Sequence, residues 1–110
     1  MPPPYLGEFE QQLLLVILRL DDGAYGANLG RELEQRAGRR VSRGALYATL
    51  DRLEDKGLIR WTQVPGSEAR DGLPRRVYTV TAAGLRALRA AHDVLQRLWG
   101  GMNARLKERP

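Results

Sequence analysis

The chain has no cysteine and a single histidine, His92, among its 110 residues. Without thiols there is no disulfide framework, no cysteine nucleophile and no thiolate metal site. A metal centre or a Ser-His-Asp arrangement would have to be built around that one imidazole, and no pattern around it supports either. No metal or cofactor is therefore expected. The carboxylates mostly alternate with arginines on exposed helical faces, which leaves no positioned acid, base or nucleophile, so no enzyme is expected. Long apolar runs are missing too. The longest, Leu13 to Leu18, falls far short of the roughly 20 residues that cross a bilayer. The N-terminus lacks a basic stretch and a long apolar one, so no secretory leader and no membrane partner are expected. A soluble, reducing, cytoplasmic setting is the expectation.

Lysine is nearly absent. Lys56 and Lys107 are the only two, and arginine supplies the rest of the eighteen basic residues. The net charge of +5 and the sequence pI near 10.2 favour a polyanionic partner. Arginine suits bidentate contacts to phosphate and guanine, although a GC-rich genome enriches it in the same way. At this length one domain with a modest core is expected.

The richest stretch is Val41 to Ile59, V-S-R-G-A-L-Y-A-T-L-D-R-L-E-D-K-G-L-I. Ser42 is an N-cap candidate whose hydroxyl accepts from a free N–H of the first turn. Leu46, Leu50 and Leu53 recur at spacings of four and three, on one helical face. Gly57 supplies a stop, and Leu58-Ile59 opens an extended segment. The other face carries Arg43, Gly44, Tyr47 and Ala48 early, then Asp51, Arg52 and Asp55 late. A helix basic and small at its exposed start and acidic at its end suits insertion of its N-terminus into a major groove. An ordinary amphipathic helix gives the same apolar stripe.

Before it, Glu8 to Leu20 reads as a helix ended by Asp21-Asp22-Gly23. Phe9, Leu13, Val16, Ile17 and Leu20 form one face, and Leu14, Leu15 and Leu18 lie roughly opposite. A helix apolar all round needs cover on both sides, which assigns Leu14 and Leu18 to a dimer interface. A second helix runs from about Tyr25 to Ala37, with Leu29 and Leu33 inward. Gly26 and Gly30 are expected to allow close approach of a neighbouring helix. Gly38-Arg39-Arg40 connects to the Ser42 helix, making a helix-turn-helix core, and Arg40 is a candidate phosphate contact.

Leu58 to Val64 and Arg75 to Val80 read as strands around the turn-rich P-G-S-E-A-R-D-G-L-P. This hairpin, carrying Arg70, Arg75 and Arg76, has the makings of a wing on the DNA backbone; a solvated loop is the plain alternative. Thr81 caps a final helix in which Leu85, Leu88, His92, Leu95, Trp99, Met102 and Leu106 recur at three and four. That seam is the expected dimerisation element, with Gly100-Gly101 as a point of kinking or ending. The fold class is mainly α with a small β-hairpin. Residues 1–5 form a lead expected to be disordered, 6–81 a winged helix-turn-helix domain and 82–107 a C-terminal dimerisation helix.

Taken together, L-G-E-F-E from Leu6, A-Y-G from Ala24, S-R-G-A-L-Y-A-T-L-D-R-L-E-D-K-G-L-I from Ser42 and P-R-R-V-Y-T-V-T-A-A-G from Pro74 resemble the PadR family of bacterial transcriptional regulators, in its short form with one C-terminal helix. The resemblance spans about Leu6 to Leu106; Leu73 and Val77 depart from it. It implies a homodimer that binds a palindromic double-stranded operator, usually as a repressor. It also implies that Ser42, Gly44 and Tyr47 lie at the DNA surface, that Tyr25 meets a phosphate, and that Arg75 and Arg76 are the wing's basic residues. Some relatives take flat aromatic or cationic compounds between the final helices through a tryptophan, a part open to Trp99; filling the dimer core is its other reading. From the residues themselves, Arg43 is the candidate base-edge contact. A winged-helix adaptor that recruits a partner helix without specific DNA binding is the competing reading.

Overall fold

The leucines at helical spacing decide the architecture. In the computed structural model, which describes residues 5–66 and 74–107, α1 (Glu8–Leu20), α2 (Gly26–Ala37) and α3 (Arg43–Asp55) precede a hairpin of β1 (Ile59–Val64) and β2 (Arg75–Val80). α4 (Ala82–Trp99) and a short α5 (Met102–Leu106) complete the chain. Leu13, Leu14 and Ile17 of α1 meet Leu29 and Leu33 of α2, and Leu46, Leu50 and Leu53 of α3, in one buried cluster closed by Leu58, Ile59, Tyr78, Val80 and Ala87. Each fully buried leucine side chain contributes roughly 2 kcal/mol of transfer free energy.

The helix ends follow their sequence signals. The Ser42 hydroxyl accepts from Ala45 N–H at 3.1 Å, and Gly57, at φ +75°, lets the chain turn out of α3 while Leu58 N–H donates to the Leu53 carbonyl at 3.0 Å. The strands pair antiparallel, with Ile59 opposite Val80, Trp61 opposite Tyr78 and Gln63 opposite Arg76. Ala24, just before α2, accepts from Tyr78 N–H at 2.8 Å, which ties the entry of the helix-turn-helix to the edge of β2.

α4 is anchored by its first turn. The Thr81 hydroxyl accepts from Gly84 N–H at 3.1 Å and donates to the Gly57 carbonyl at 2.7 Å. A Cβ on Gly84 would stand 2.2 Å from the Leu58 carbonyl oxygen, so only glycine allows this approach. Ala87, Leu88 and Ala91 continue the contact with the core. From His92 to Trp99 every residue is exposed, so the helix leaves its own domain. The Cα radius of gyration, 16.4 Å, accordingly exceeds the roughly 13 Å of a compact chain this long.

Three expectations need correction. Leu14 was assigned to a dimer interface, but it is wholly buried in its own core. α1 packs against α2, β2 and α4, so its buried stripe is wider than one face, and of its apolar side chains only Leu15 and Leu18 are exposed. The final helix does not run unbroken over 82–107 but ends at the Gly100-Gly101 point that the sequence marks: Gly101 takes φ +77°, α4 stops at Trp99, and Met102 and Leu106 fall in a separate short helix. Gly26 does sit against a neighbouring helix, but a Cβ on Gly30 would meet nothing within 4 Å.

The two interior glycines should therefore respond oppositely. Gly84→Ala should lower stability by about 2 kcal/mol or more. Gly30→Ala should raise it by about 0.5–1 kcal/mol by removing backbone entropy from the unfolded chain. Thermal melts of the two variants check both signs.

Candidate nucleic-acid interface

An open groove of about 1150 Å³ runs between α2, the start of α3 and the base of the hairpin. Tyr25, Gly26, Ala27, Gly30, Arg31, Glu34, Arg40, Val41, Ser42, Arg43, Leu46, Tyr47, Pro74, Arg75 and Arg76 line it. Among the described residues, five arginines against one carboxylate make it electropositive, and Glu34 is already engaged by Arg40 at 3.5 Å.

Each cationic head is held by a nearby group. Arg43 lies over the Tyr47 ring, one helical turn on, at 5.6 Å. The Tyr47 ring is set in turn by Gly26: a Cβ there would stand 2.1 Å from the phenol oxygen, so the glycine makes room for the hydroxyl beside α2. Arg75 stacks on Tyr25 at 3.9 Å, and its Nε is buried without an acceptor among the described residues. Arg76 stacks on Trp61 at 4.0 Å. The Trp61 indole N–H donates to Glu54 of α3 at 3.0 Å. Burial pushes the Tyr78 phenol up, against the opposing pull of the Arg76 guanidinium. Stacking on a ring face leaves guanidinium N–H donors free for an anion.

Of the residues singled out in the sequence, Tyr25, Arg40, Ser42, Arg43, Tyr47, Arg75 and Arg76 come together in this groove. Gly44 and Ala48 are exposed on α3 outside its lining. Arg70 lies outside the described residues. On α4, Leu85, Leu95 and Trp99 are exposed, as are Met102 and Leu106 of α5. Leu88 is half-buried against its own core, and the His92 side chain is 70% exposed, 3.7 Å from Asp93. Arg31 and Trp61 carry no site assignment from the sequence. The spacing of Trp61 and Arg76 shows nothing until the strand register is known.

The far end of α3 is fastened by a buried carboxylate. Glu10, 6% exposed, accepts from Lys56 Nζ at 2.8 Å and from Gly7 N–H at 2.9 Å, with Arg52 Nε 3.6 Å away. Burial alone would raise its pKa. The Lys56 and Gly7 hydrogen bonds and the Lys56 and Arg52 charges outweigh that and hold the carboxyl below its ordinary value. α1 and the C-terminal end of α3 are thereby locked together.

Three helices, a basic groove at the start of the third and a two-stranded wing beside it define a winged helix-turn-helix protein of the DNA-binding type. Residues 14–90 match the transcriptional regulator PadR-like family, and the chain belongs to that family. It is 42% identical over 87 residues to the transcriptional regulator Rv3488 of Mycobacterium tuberculosis, covering 76% of this chain and 77% of that one. A PadR-like transcriptional regulator from Bacillus cereus superposes with a TM-score of 0.74 at 26% identity, over 92% of this chain and 93% of the other. A PadR family regulator from Eggerthella lenta gives 0.67 at 29% identity, over 93% and 88%. The chain is thus a DNA-binding transcriptional regulator and not an enzyme. Among the described residues no helix is long and apolar enough to cross a membrane.

The Glu10 lock makes a pH prediction. A carboxyl held below its ordinary value of 4.5 adds stability that is complete above that value and is lost as pH falls through the folded-state pKa. Glu10→Gln should lose about 1–3 kcal/mol at neutral pH. Chemical denaturation between pH 7 and pH 3 should show the gap to the parent narrowing toward the acid end.

Proposed function

We propose that the chain is a homodimeric repressor that reads a palindromic operator in the cytoplasm. The groove, with three of its cationic heads already laid on aromatic rings, is the observation that carries this reading. Each protomer presents the first turns of α3 to successive major grooves about 34 Å apart on one side of the duplex. Arg43 meets a base edge, and exposed Ser42, Gly44 and Ala48 let the helix approach closely. Tyr25, Arg40 and Tyr47 contact phosphates, and Arg75 and Arg76 contact the backbone from the wing; Arg70 belongs to the same arm.

The dimer forms through α4, whose exposed Leu85, Val94, Leu95, Leu98 and Trp99 have no cover among the described residues, and through exposed Leu15 and Leu18 of α1. Met102 and Leu106 extend that surface past the break. A flat aromatic or cationic effector stacks between paired Trp99 indoles, where large ring faces attract it.

Selection from a randomised duplex library at moderate salt tests the DNA reading, and enrichment of an inverted repeat is the expected result. Binding without an enriched sequence, or none at all, would overturn it; the latter would favour an adaptor that recruits a protein helix. Arg43→Ala should relax preference at one base position, a loss of about 1–3 kcal/mol of discrimination. Arg76→Ala should weaken all sequences alike and flatten the salt slope by about one. Leu95→Asp should give monomers in sedimentation equilibrium, with intact circular dichroism over the first 80 residues' worth of helix and sheet.

A further inference from the structure

We infer that Trp61 is a positioning residue for DNA binding: its indole, pinned to α3 by Glu54, holds the Arg76 guanidinium in place on the wing. This rests on the reading of Arg76 as a wing contact. Trp61 faces Tyr78 across the hairpin, and Arg76 lies two residues along β2 on the same face, which makes the pair diagonal neighbours within reach of long side chains. The guanidinium lies 4.0 Å from the ring centroid. Arg76 is exposed and forms no ion pair among the described residues; the Trp61 ring face orders it there, beside the Tyr78 phenol that the guanidinium also pulls on.

The ring is itself ordered. Its N–H donates to Glu54 Oε2 at 3.0 Å, and Glu54 stands in the last turn of α3. The wing cation is therefore indexed to the helix that enters the major groove. A carboxylate partner would order an arginine too, but would cancel its charge and occupy its donors. A ring face does neither, and a guanidinium already fixed loses less conformational freedom on meeting a phosphate.

A double-mutant cycle on the full chain tests this, with affinity for a fixed duplex as the readout and melting curves as the control for folding. Trp61→Val keeps a strand-forming residue and should weaken binding about two- to fivefold, the scale of an exposed cation–π contact. Trp61→Phe, which keeps a ring face, should stay within about twofold of the parent. The double variant with Arg76→Ala should bind no more weakly than Arg76→Ala alone. A Trp61→Val variant that binds like the parent, or losses that simply add in the double variant, would overturn the inference while leaving the wing reading intact. An Arg76→Ala variant without effect would overturn both. Should Trp61→Val melt below the assay temperature, Glu54→Ala against Glu54→Gln serves instead. Both remove the charge and only the first removes the acceptor, so weaker binding by the alanine variant is expected and equality would overturn the inference.

Discussion

The peptide at Gly57-Leu58 is where α3, the wing and the protruding α4 are joined. Leu58 donates back to Leu53 at the end of α3, and its carbonyl accepts from Thr81 N–H at 3.0 Å as the second strand ends. The same oxygen forbids a side chain on Gly84, while the Gly57 carbonyl takes the Thr81 hydroxyl. These contacts span less than two residues of chain yet fix three elements. Displacement there would tilt α3 against the hairpin and swing α4 away, so the basic groove and the exposed apolar face of α4 share one mechanical reference.

The groove is built on preorganisation more than on charge alone. Arg43, Arg75 and Arg76 lie on rings of Tyr47, Tyr25 and Trp61, and the rings are placed by the α2–α3 approach, the α2 entry and Glu54. Long cationic side chains free in water would each lose up to about 2 kcal/mol of rotamer entropy on binding. Here much of that ordering precedes contact. At the opposite end of α3, Glu10 fastens Arg52 and Lys56, so the helix is constrained at both termini and its projecting first turns hold one orientation.

The helices and strands were legible because their signals are local. The Ser42 cap, the Leu46-Leu50-Leu53 stripe and the Gly57 stop each lie within one or two turns. α1 falls at Glu8–Leu20, as its apolar run and terminal Asp-Asp-Gly indicate. Leu14 was misplaced because periodicity gives the direction of a side chain and not how many neighbours surround its helix. Glu10 was unreadable as a buried group: its partner Lys56 lies 46 residues away, and a lone glutamate near a helix start ordinarily reads as a solvated, dipole-favoured charge. The Trp61–Arg76 stack depends on register across a long connection, which no local pattern sets.

The distribution of the two lysines has a chemical consequence. Lys56 is committed to Glu10 at the remote end of α3, and Lys107 follows α5 at the end of the described chain. Every cation lining the groove is an arginine, protonated at any physiological pH. Acetyl transfer, which erases charge at amines, therefore finds no lysine to modify in that groove. The positive charge of that groove is thereby insulated from acyl-donor metabolism.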